Sequence, residues 1–131
     1  MFRGSPEGSA GELKKVTTVA GLNVEPENLP SDLLSEARKM WESGQYQEAL
    51  GLLYRGAISS LVTRQLVEIE ESDTEIDCLR RVVSRGEIAS ASYFSLLTNA
   101  WISQAYARRC PNEKIINELW KEWPFQEGER Q

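Results

Sequence analysis

Apolar positions in this chain return at steps of three and four residues, the spacing that gathers side chains on one face of an α-helix. After Pro30, Leu33, Leu34, Ala37, Met40 and Trp41 keep that spacing up to Gly44. Ser31 is placed as the N-cap and Asp32 in the first turn, where the helix dipole favours an acid. Gly44 closes this first helix, because glycine takes the left-handed conformation without a Cβ clash. A second helix is predicted from Gln45 to Leu66. Its apolar face, formed by Tyr46, Leu50, Leu53, Tyr54, Ala57, Ile58, Leu61 and Val62, is wider than a surface helix needs, so it is expected at the centre. Gly51 and Gly56 inside it each cost roughly 1 kcal/mol against alanine. A neighbouring helix approaching on the side of Ala49, Gly56 and Ser60 would explain them.

Ser72-Asp73-Thr74-Glu75 has the spacing of a capping box, in which each end satisfies the other's backbone N–H. The third helix is expected to follow it, with Ile76, Leu79 and Val83 inward, Cys78 and Val82 beside them, and Gly86 at its end. A fourth helix is predicted over residues 88–108, with Phe94, Leu97, Trp101 and Ala105 in one stripe, widened by Tyr93, Leu96 and Ala100. Pro111 suits the first turn of a fifth, which carries Ile115, Ile116, Leu119 and Trp120 before Trp123-Pro124. Glycines and prolines interrupt residues 1–30. Residues 1–18 are read as a flexible linker, 19–125 as a single helical domain whose Val19, Leu22 and Val24 lie against the body, and 126–131 as a frayed tail. No stretch alternates with period two. The expectation is an all-α, compact bundle of about five helices and no sheet.

At 131 residues and 40% hydrophobic content the chain suffices for one core without metals or disulfides. Its net charge of −5 argues against nucleic acid, which needs a basic surface to displace phosphate counterions. The absence of histidine removes the usual general base and the usual metal ligand. Cys78 and Cys110 lack a CxxC spacing and read as free thiols of a reducing compartment. Cys78 has no histidine to activate it, and no phosphate-binding glycine loop is present. Glu68, Glu70, Glu71, Asp73, Glu75 and Asp77 read as a solvated turn and capping set, without the spacing of a calcium loop. Arg80, Arg81, Arg85, Arg108 and Arg109 could meet anionic lipid headgroups, though dipole complementation and exposure explain them more simply. Tyr93, Phe94, Trp101, Tyr106, Trp120 and Trp123 could form a ligand cage, but aromatics at helical spacing are usually core. No catalytic, cofactor-binding or metal-binding residue is expected. The lack of a bilayer-length apolar run or a signal peptide points to a soluble cytoplasmic chain.

Trp41, Gly44, Tyr46, Ala49 and Leu50 resemble the helix-turn-helix heart of a tetratricopeptide unit, so the first two helices are expected to pair as an antiparallel hairpin. A longer series comes in a familiar order: Ala49 to Ile58, Thr74-Glu75 with Cys78-Leu79-Arg80, Tyr93-Phe94 with Leu97-Thr98 and Trp101, Ala105 to Arg109 with Pro111, and Leu119 with Trp123-Pro124. With the lead-in Gly21 to Val24 and Leu29-Pro30, it resembles a bacterial family of domains of unknown function that forms the C-terminal, cytoplasmic part of membrane-anchored proteins. The resemblance implies a location at the inner face of the cell membrane, within a longer protein anchored by sequence upstream of Met1. That family has no assigned activity, so no catalytic residue is carried over. The function expected is a non-catalytic protein-interaction module whose partner is another protein, with no small-molecule substrate. The alternative is a regulatory or ligand-sensing domain of a membrane-bound cell-envelope enzyme. Arg38, Glu42, Gln45, Gln47 and Arg55, on or beside the opening hairpin, are the candidate partner surface.

Overall fold

The computed structural model describes residues 16–64, 66–85 and 88–125, with the backbone alone of Ile88. The described chain begins with a short antiparallel pair, β1 (Thr18–Val19) and β2 (Leu22–Asn23), in which Val19 faces Leu22. This corrects the expectation of no sheet. Ala20 and Gly21 join the strands with φ of 52° and 79°, the double left-handed conformation of a tight hairpin turn. Two-residue strands are too short to show alternation, which is why the pattern missed them. Val19 and Val24 are fully buried and Leu22 packs beside them, as expected of the lead-in. Thr17, within the span read as linker, donates its N–H and its hydroxyl to Glu71 Oε2.

A 3-10 turn (Pro26–Asn28) leads to α1 (Leu33–Glu42). The helix starts later than the capping pattern implied: Asp32, not Ser31, occupies the N-cap position, and its side chain makes no capping bond. Gly44, with φ of 85°, ends the helix in the predicted way. Its N–H donates to the Trp41 carbonyl and that of Gln45 to the Met40 carbonyl, the paired closure of a Schellman turn. α2 (Tyr46–Thr63) then runs back along α1, so the predicted hairpin forms. It stops before Leu66, and Val67 and Ile69 of the following connector are buried.

α2 is buried on almost every side, from Ala49 to Tyr54 and from Gly56 to Ser59. Its two internal glycines serve different neighbours. A Cβ on Gly51 would lie 3.2 Å from the Trp101 ring, and one on Gly56 would run into Leu33 of α1. α4 (Ile88–Ala107) packs on the side of α2 away from that clash and also carries α3 (Glu75–Arg85) and α5 (Glu113–Lys121). The molecule is therefore an all-α bundle built on a central α2–α4 pair, with five helices among the described residues. α5 begins one turn position later than predicted: Asn112, not Pro111, sets its start by accepting from the Ile115 N–H at 2.9 Å.

Candidate functional site

The predicted partner-surface residues lie on α1, on α2 and in the turn between them. Arg38 and Glu42 are exposed on α1 and pair with each other at 3.7 Å, while the Arg38 guanidinium lies over the Trp120 ring at 5.9 Å. Gln45 occupies the N-cap position of α2, and Gln47 is exposed in its first turn. Arg55 is taken up elsewhere. Its Nε donates to the Asn23 carbonyl at 2.7 Å and an Nη to the Asn28 carbonyl at 3.1 Å, so it straps the N-terminal hairpin to α2.

Most of the aromatic set is buried in the core. Tyr54 stacks between Phe94 and Trp101 at ring separations of 5.5 and 6.2 Å, and Tyr93 meets Trp123 and Phe125 edge-on. Beside this stack lies a buried polar cluster that the pattern did not anticipate. Glu75, read as part of a solvated capping set, is only 8% exposed. Its Oε2 accepts from Trp101 Nε1 at 3.1 Å and from the Tyr106 hydroxyl at 2.9 Å. The capping box does exist, two residues further on: Thr74 Oγ1 accepts from the Asp77 N–H and Asp77 Oδ2 from the Thr74 N–H. The Thr74 N–H, and to a lesser degree its hydroxyl, hold the Asp77 carboxyl below its ordinary range, with nearby Arg80 adding a smaller pull. Asp73 is buried as well and pairs with Arg81 at 2.8 Å.

Cys78 and Tyr54 neighbour each other in the same cluster. Burial pushes the Cys78 thiol up to about 12, with the Asp73 charge adding to it. Burial likewise raises Tyr54, helped by Cys78 and Glu75, and its hydroxyl lies beside the thiol without the geometry of a hydrogen bond. A reactive thiol needs the opposite, a lowered pKa and access. Among the described residues no group of three or more acidic or cysteine side chains could hold a metal ion.

What the fold leaves uncovered is the outer shoulder of α3. Ile76 and Val83, predicted inward, are 49% and 58% exposed, while Glu75, Cys78 and Val82 take the inner face. The bonds from Glu75 to Trp101 and Tyr106 of α4, with the burial of Cys78 and Val82, set that rotation. Ile76 and Val83 stand seven residues apart and so share a side of the helix, with half-buried Leu79 between them. Tyr106, whose hydroxyl ties the end of α4 to Glu75, is itself 69% exposed, and exposed Arg108 and Arg109 follow it. Such a stripe of apolar groups on one helix is the kind of surface that a second helix covers.

No family model, curated protein or solved structure matches this chain. No helix among the described residues is long and apolar enough to cross a membrane.

Proposed function

We propose that this chain is a non-catalytic protein-interaction module that docks a partner protein on the outer shoulder of α3. The observation that carries the reading is the outward face of Ile76 and Val83 on a helix oriented by the burial of Cys78 and Val82 and by the Glu75 bonds to α4. Single exposed apolar residues are ordinary on protein surfaces. Two on one helical stripe, continued by Leu79, offer a partner a row of contacts at helical spacing. The buried carboxylate, thiol and phenol support the same reading, since each is held by burial or by structural bonds.

The test uses the full gene product in its own cells, with a photo-crosslinking side chain at Val83 or, as control, at exposed Lys114. A partner captured from position 83 and absent from 114 is then purified. Its affinity is expected to fall about 10- to 100-fold for Ile76→Glu/Val83→Glu, as for loss of two interface anchors. The melting temperature should hardly move, because both sites are exposed. Unchanged affinity for the double variant would remove the reading.

The resemblance of the ordered blocks to the bacterial family of domains of unknown function supports a place as the cytoplasmic domain of a membrane-anchored protein. Fractionation of cells expressing the gene from its own locus checks that placement, and recovery of the product wholly in the soluble fraction would end it.

A further inference from the structure

An open groove of about 420 Å³ lies between the 3-10 turn, the start of α1, the second half of α2 and the segment Trp123–Phe125. Pro26, Leu29, Trp123 and Phe125 give it apolar walls, and Asp32 and Ser59 lie at its polar side. The polar side is incompletely bonded. Asp32 stands at the N-cap position without capping the helix, and no ion pair engages its carboxylate among the described residues. The first-turn N–H groups of Leu33, Leu34 and Ser35 are therefore left without the acceptor that a cap would supply. Ser59 is 6% exposed and lines the groove, and its hydroxyl bonds to no described group, although its carbonyl accepts from Thr63.

These groups select among ligand charges. An anion alone would be drawn to the N–H groups but repelled by Asp32, the one charged side chain among the described residues lining the groove. A cation alone would suit Asp32 but would leave the N–H groups empty and sit at the positive end of the helix dipole. A ligand whose carboxylate and ammonium are separated by one carbon satisfies both. The apolar walls then ask for an apolar side chain, and the volume falls within the range of small-molecule sites.

We propose that this groove binds a free α-amino acid with a bulky apolar side chain. Its carboxylate lies on the amide groups that open α1, its ammonium on Asp32, and its side chain against Trp123 and the Pro26–Leu29 wall. Ser59, a buried residue on the groove wall, offers its hydroxyl as a further polar contact. The groove is lined by none of the exposed α3 residues, so its failure leaves the docking proposal standing, and the reverse holds too.

Heteronuclear NMR titration of the full chain tests it with four probes: L-phenylalanine, L-leucine, phenethylamine, which lacks the carboxylate, and 3-phenylpropanoate, which lacks the ammonium. Saturable shifts are expected for at least one amino acid at the amides of Leu33 to Ser35 and of Ser59, and at the Trp123 indole. Each half-molecule should bind at least about tenfold more weakly, a loss of one decade in Kd or more. Asp32→Asn should weaken the amino acid by a similar factor while leaving the melting temperature near that of the parent, since Asp32 caps nothing. A solvated helix end predicts otherwise. No saturable shift with either amino acid, equal binding of a half-molecule, or an unaffected Asp32→Asn variant would overturn the proposal.

Discussion

Replacing Glu75 with alanine takes away the one acceptor shared by Trp101 Nε1 and the Tyr106 hydroxyl. The indole is buried, so orphaning its N–H is expected to cost about 1–3 kcal/mol. Glu75→Gln keeps an oxygen in place and should retain a good part of that stability. Tyr106→Phe, at a largely exposed ring, should cost less, and combined with Glu75→Ala it should add almost nothing, because the acceptor is already gone. Urea unfolding of the three variants and the double mutant checks this, and a fully stable Glu75→Ala would show that the cluster holds nothing together. The box read from the pattern paired Ser72 with Glu75, and the one that forms, Thr74 with Asp77, has the same spacing of a hydroxyl three residues before an acid. Spacing alone has no means of choosing. What chose was a buried indole in need of an acceptor, and that indole lies 26 residues away in the chain.

At the scale of elements, α2 shows how the same residue type answers to different neighbours. Alanine at either glycine gains roughly 1 kcal/mol of helix propensity. At Gly51 the new methyl would press on Trp101, a ring that is stacked on Tyr54 and bonded to Glu75 and so cannot easily give way. Gly51→Ala is expected to lower the melting temperature despite the propensity gain. At Gly56 the obstacle is the tip of Leu33, a half-buried side chain that can rotate. Gly56→Ala should fall much closer to neutral, and parallel thermal melts would separate the two. A Gly51→Ala variant that melts higher than its parent would mean that the Trp101 wall is soft. The presence of a close neighbour could be anticipated from glycine inside a helix, but which helix it was could not. Similarly, α1, α2 and α4 were legible because Gly44 and the long apolar runs mark them strongly. The rotation of α3 was not. Leu79 and Val82 flank both candidate faces, and a helix with apolar residues on two sides has no preferred side until something packs on it.

For the molecule as a whole, the buried acids set the response to alkali. Cys78, Tyr54 and Tyr93 are all raised above their ordinary values, each chiefly by burial. A raised pKa means that the folded protein keeps its proton where the unfolded chain has lost it. That stability is complete below the unfolded thiol value of 9.0 and is lost progressively as pH rises towards about 12 for Cys78. The denaturation midpoint should therefore hold steady from neutrality to about pH 9 and then decline. Cys78→Ala should begin its decline later, since the phenols ionise above the thiol in the unfolded chain. A midpoint that rises with alkali, or an onset that Cys78→Ala leaves in place, would contradict the buried positions of these groups.

The amino-acid sequence alone determined that this chain is helical, where its central helix lies, that its first two helices fold back at Gly44, and that most of its aromatics belong to the core. Those properties follow from local spacing and from the conformational range of single residues, which the chain carries wherever it is placed. Tertiary structure decided which carboxylate is buried, which face of α3 meets solvent, that Arg55 serves two backbone carbonyls, and that a groove opens beside an uncapped helix start. Each of these depends on groups far apart in sequence competing for the same partner or the same space. The winner is fixed only when the helices meet, because a hydrogen bond or a packed methyl group counts by distance through space and not along the chain.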